Sequence, residues 1–90
     1  MTQIELVPDL SHCIETVAKQ EYRQRLQEYL KRGEENPELE ERIELLKRFL
    51  ETADFHKLRR ESEKHLVEGK RVKFIITLQG GELTHELKTF

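Results

Sequence analysis

The residues of this chain best suited to metal binding or nucleophilic chemistry are four histidines and one cysteine. Two imidazoles that share a metal from one helix need a four-residue spacing. None of the pairs among His12, His56, His65 and His85 has it, and adjacent His12 and Cys13 point to different sides of a helix. Cys13 falls within an apolar stripe, where a thiol behaves as a small hydrophobe. Its neighbours in sequence supply no basic group to activate it. Ser11 or Ser62 could be combined on paper with a histidine and a carboxylate, but no spacing favours this. Gly80-Gly81 lacks the following helix and lysine of a phosphate loop and reads as a turn. The chain therefore carries no recognisable catalytic constellation, and neither a metal nor a cofactor is expected.

Basic residues form the second candidate group. From Lys57 to Lys73 seven basic residues stand against Glu61, Glu63 and Glu68. Lys57, Arg60 and Lys64 share a face of one helix, with Arg71 and Lys73 following on a strand. Such a helix and hairpin could contact the phosphates of a nucleic acid. The order helix, helix, helix, hairpin is that of a winged helix, an analogy of layout alone. The competing reading is a solvated face, with Glu61 and Glu68 four residues after Lys57 and Lys64 and able to pair with them.

The scaffold for these groups is small. Ninety residues make one domain, residues 1–90, with a limited core. Charged residues, 38 %, outnumber apolar ones, 36 %, as expected where amphipathic helices carry charged outer faces. The net charge of −2 demands no nucleic-acid or membrane partner. It is unevenly spread: residues 1–53 hold eight basic and twelve acidic groups, residues 54–90 eight and six. A single cysteine excludes an intramolecular disulfide. With no signal-peptide pattern and no apolar run of membrane-spanning length, the chain reads as a soluble cytoplasmic protein.

Periodicity predicts an α+β fold of three helices followed by a C-terminal β-hairpin, which residues 2–7 can extend to a three-stranded antiparallel sheet. Thr2–Val7 alternates, with Ile4 and Leu6 on one face, and Pro8 closes it. From Leu10 to Arg32 the apolar residues recur at helical spacing, with Asp9 or Ser11 as cap and Gly33 as stop. Asn36-Pro37 opens a second helix and Asp54 caps a third, Phe55 to about Glu68, ended by Gly69. Asp54 is a poor mid-helix residue, so a break is expected there. In the hairpin, a two-residue Gly80-Gly81 loop pairs Leu78 with Leu83, Ile76 with His85, Phe74 with Leu87 and Val72 with Thr89. The apolar faces then coincide, and a one-residue slip would destroy this agreement. The same register sets Lys73 opposite Lys88 and places His85 among Ile76, Leu83 and Leu87.

Two features suggest association with a second chain. Ile75 falls on the outer face of the hairpin, and Leu45 and Phe49 widen the stripe of the second helix beyond what one neighbour covers. A sheet of two or three strands also keeps a free edge. The leading expectation is thus a small non-enzymatic protein-interaction module that self-associates, most simply as a homodimer, through Leu45, Phe49 and Ile75. The alternative is a nucleic-acid-binding protein of winged-helix-like layout using Lys57, Arg60, Lys64, Arg71 and Lys73.

Overall fold

A computed structural model describes residues 2–32 and 36–90. Its elements run β1 (Thr2–Leu6), α1 (Ile14–Arg32), α2 (Pro37–Thr52), α3 (Phe55–Leu66), β2 (Val72–Gln79) and β3 (Glu82–Thr89). The fold is α+β, three helices with a three-stranded antiparallel sheet of order β1-β2-β3. β1 extends the hairpin as expected, on the side of β2 away from β3, so β2 is the central strand and β1 and β3 are the edges.

Local chemistry accounts for most element boundaries. Gly80 and Gly81 both take positive φ, 58° and 81°, which only glycine adopts freely and which a tight two-residue hairpin loop requires. The register that follows pairs Leu78 with Leu83, Ile76 with His85, Phe74 with Leu87, Val72 with Thr89 and Lys73 with Lys88, all as the sequence predicts. The Asn36 side chain accepts the Leu39 N–H at 3.2 Å and the Asp54 carboxylate accepts the Lys57 N–H at 3.2 Å, so each caps its helix. Between α2 and α3, Ala53 is extended, with φ −71° and ψ 141°, which makes the break at Asp54 real. Gly69, with φ 82°, follows the end of α3. The stop assigned to Gly33 lies outside the described residues.

The start of α1 differs from expectation. The helix begins at Ile14 rather than Leu10, and Leu10 is 68 % exposed. Asp9 holds the preceding residues in a turn of its own: its carboxylate accepts the Ser11 N–H at 2.8 Å and the His12 N–H at 2.7 Å. These donors, the His12 N–H above all, hold the Asp9 carboxyl below the ordinary range. The turn competes with helix for the same backbone groups and wins. Cys13 becomes the residue ahead of the helix, its carbonyl accepting the Val17 N–H at 3.0 Å.

One face of the sheet carries the core. Ile4 and Leu6 of β1 and Val72, Phe74 and Ile76 of β2 pack with Ile14 and Ala18 of α1, Leu45, Leu46 and Phe49 of α2, and Leu58 of α3. Phe49 meets Phe55 edge to face, with ring centroids 5.4 Å apart, a favoured aromatic geometry. The Thr2 hydroxyl donates to the Glu41 carboxylate and ties β1 to α2. Arg48 of α2 donates to the Gly81 carbonyl at 2.7 Å and to Glu44 at 3.2 Å, which pins the hairpin tip. The opposite face bears no described helix: Gln3, Glu5, Thr84, Glu86 and Lys88 are exposed, and Lys73, Ile75 and Thr77 are half-buried by their strand neighbours.

Candidate functional site

The hydrogen-bond phase of the hairpin fixes which backbone groups are left over. The Phe90 N–H donates to the Arg71 carbonyl at 2.9 Å, so Arg71 and Phe90 form a directly bonded pair. Bonded and non-bonded pairs alternate along an antiparallel ladder. Lys73–Lys88, Ile75–Glu86, Thr77–Thr84 and Gln79–Glu82 are then bonded pairs as well. The N–H and C=O groups of Leu83, His85, Leu87 and Thr89 accordingly point away from β2, along the free edge of β3. β1, by the same alternation, turns only the backbone groups of Gln3 and Glu5 outward within a five-residue strand.

A groove of about 420 Å³ runs beside the β3 edge on the helical side. Phe49, Ala53, Leu58 and Leu83 give it an apolar floor, and Asp54, Lys57 and His85 a polar rim. It exists because the helical layer is centred on β1 and β2. Leu83 and Leu87 of β3 are only half-buried and His85 is exposed, with its ring 6.4 Å from that of Phe49. His85 thus faces the side the register predicts without the cover expected for it.

The three residues expected at a self-association surface part company here. Leu45 and Phe49 are 0 % and 1 % exposed, which corrects their assignment: both belong to the chain's own core and cannot meet a partner. The wide stripe of α2 is satisfied internally because the helix touches α1 on one side and the sheet on the other. Ile75 does lie on the uncovered face, between Glu5 of β1 and Glu86 of β3.

The basic residues are divided as well. Lys57, Arg60 and Lys64 are exposed on α3, and Arg71 is exposed just before β2. Lys73 is separate from them. It stands on the bare outer face while α3 packs on the inner one, and its ammonium meets Glu5 at 3.6 Å and the Phe90 ring centroid at 5.5 Å. The five residues therefore do not form one surface. Glu68 pairs with Lys70 at 3.2 Å instead of Lys64, because α3 ends at Leu66 and Glu68 has left the helical spacing. The close ion pair on α3 is Arg59–Glu63 at 2.9 Å.

Cys13 gains a neighbour that its sequence context hides. Its Sγ lies 3.3 Å from the Thr16 hydroxyl at the start of α1. This hydrogen bond first, then the Thr16 and Glu15 N–H groups and the charge of Arg59, pull the thiol below its ordinary pKa. Arg59 arrives from α3, forty-six residues away in sequence. His56 and Arg59 line the same shallow groove as Cys13, but the hydrogen bond Sγ makes among the described residues is to Thr16, not to a histidine. His12 instead turns to Asp9 at 3.3 Å. The corner favours a thiolate without holding a proton acceptor against it. No group of three or more His, Cys, Asp or Glu among the described residues could hold a metal ion. No described helix is long and apolar enough to cross a membrane.

One family model matches residues 2–86. The chain belongs to that family. The family match covers β1 to β2 in full and β3 as far as Glu86, which includes Leu83 and His85 of the open edge but not Leu87. An uncharacterized protein of Archaeoglobus fulgidus is 53 % identical over 51 residues, which cover 54 % of this chain and 60 % of that protein. The chain thus matches less than two thirds of that relative's length. No solved structure matches. For the family member described here, the residues that sequence reasoning missed are Arg48 on the hairpin tip and Arg59 beside Cys13. Each acts on a residue distant in sequence, and no local pattern announces such a contact.

Proposed function

We propose that this protein is a small non-enzymatic protein-interaction module that acts in the cytoplasm by associating with itself as a homodimer. The observation that carries the reading is β3: an eight-residue edge strand, paired to β2 without a bulge, containing no proline, with no described element beyond it. Unpaired edges of this kind are templates for another chain unless they are blunted. The outer face, where Ile75 lies half-buried between Glu5 and Glu86, is a second surface with no described helix over it.

Sedimentation equilibrium from low to high micromolar concentration tests it. A monomer–dimer equilibrium is the expected result. A clean 10.8 kDa species throughout would refute self-association.

A second reading is favoured by the exposure of Lys57, Arg60 and Lys64 on α3. In it the protein binds nucleic acid through phosphate contacts from these residues and Arg71. The affinity would fall steeply with salt, and the Arg60→Glu/Lys64→Glu double variant would lose binding and flatten the salt slope. Absence of binding at low salt would refute it.

A further inference from the structure

We propose that the open edge of β3 pairs with β3 of a second copy, antiparallel and centred on His85, to make one continuous six-stranded sheet. The inference rests on the self-association reading and names its surface and register.

Symmetry restricts the geometry. A two-fold axis normal to the sheet keeps both helical layers on one side and brings two β3 strands together antiparallel. Residues of equal parity then meet, with Leu83, His85 and Leu87 as the bonded positions because their N–H and C=O groups point outward.

Side-chain chemistry selects the register. Centred on His85, the pairing sets Glu82 opposite Lys88 of the second copy twice, Leu83 opposite Leu87 twice, and Thr84 opposite Glu86 twice. Both charge pairs are of opposite sign, and no two carboxylates or lysines meet. Moving the centre to Glu86 places two Glu86 carboxylates face to face. Moving it to Thr84 sets Glu82 against Glu86 twice. Moving it to Leu87 restores opposite charges but leaves Glu82 and Leu83 beyond the end of the other strand. Like charges directly opposite are destabilising and opposite charges favourable.

The chosen register adds about six backbone hydrogen bonds between chains. Glu82 and Lys88 fall at the closely spaced positions, on the outer face where both are already exposed. On the inner face, Leu83 and Leu87 of the second copy reach the side where the groove of Phe49, Ala53 and Leu58 lies open. This is strand addition beside a helix-lined groove, in which the backbone supplies affinity and alternate side chains supply specificity.

Two independent experiments read the register. In a Cys13→Ser background, single cysteines replace His85, Glu86 or Leu87 in the 90-residue chain, and mild oxidation is followed on a non-reducing gel. His85→Cys is expected to give a disulfide dimer several times faster than the other two, because only position 85 meets its own copy within disulfide reach. Preferential trapping at 86 or 87 would overturn the register.

The second experiment exchanges charge at exposed positions, which leaves the fold intact by circular dichroism. Lys88→Glu alone and Glu82→Lys alone should each weaken dimerisation roughly tenfold, since each turns two attractive pairs into repulsive ones. An equimolar mixture of these two variants should recover the original affinity as a heterodimer, and the double variant should recover it alone. A dimer indifferent to these exchanges, with no trapping at position 85, would overturn edge pairing while leaving self-association standing. A monomer at every concentration would overturn both.

Discussion

β1 and β3 flank the same central strand, yet they are built to different ends. In β1, Ile4 and Leu6 are sealed under the helices, and the Thr2 hydroxyl fastens the strand to Glu41 of α2. In β3, the corresponding inward residues Leu83 and Leu87 are half-covered and His85 is open. Hydrogen bonding to β2 is regular on both sides, so pairing does not distinguish them. What distinguishes them is the position of the helical layer. β1 is therefore held by its side chains, while β3 is held chiefly by its backbone and by the Arg48 contact at Gly81. The strand with less burial is the one with more edge to offer.

Truncation of inward side chains should sharpen this contrast most. Leu6→Ala removes a fully packed side chain and should cost about 3 kcal/mol of stability. Leu87→Ala empties a half-exposed site and should cost about 1 kcal/mol. Urea denaturation at low protein concentration measures both, and equal losses would break the comparison.

Amide hydrogen exchange gives the next largest effect. The inward-bonded N–H groups of Ile4 and Leu6 should exchange at rates set by near-global opening. Those of Leu83, His85 and Leu87 should exchange orders of magnitude faster in dilute solution. Raising the concentration into the dimer range should slow the latter group alone.

Asp54→Ala should cost about 1 kcal/mol by uncapping α3. It should also loosen the groove wall that α3 forms beside β3 more than it disturbs β1, which chemical-shift changes would show.

The smallest effect concerns Cys13. Its lowered pKa should make alkylation faster at neutral pH than for an ordinary thiol. Thr16→Val removes the first cause of that shift and should slow the reaction. The sign for stability follows: the folded state favours the thiolate, so this contribution is full above the ordinary thiol pKa and is lost as pH falls through the folded value. Thr16→Val should diminish that pH dependence, and unchanged alkylation rates would show that Thr16 does not set the acidity.

The sequence alone determined what depends on near neighbours. Asn36-Pro37, Asp54, Gly69 and Gly80-Gly81 act on backbone groups within a few residues, so the caps, the helix break and the hairpin register were legible from residue types and spacing. β1 joining the sheet was legible from its alternation. The exception among local features was the Asp9 turn, whose hydrogen bonds compete with a helical pattern that is otherwise good. Tertiary structure alone decided which faces are covered. Leu45, Phe49 and Ile75 look alike as surplus apolar residues, and only the placement of α1 and of the sheet against α2 buries the first two and leaves the third half-buried on the uncovered face. The same holds for His85, whose direction followed from strand alternation while its exposure depended on where the helices end. Arg59 reaches Cys13, and Lys73 is parted from the α3 cations, for one physical reason. Burial and charge proximity depend on distances between elements, and those distances are set when the whole core packs, not by any short stretch of chain.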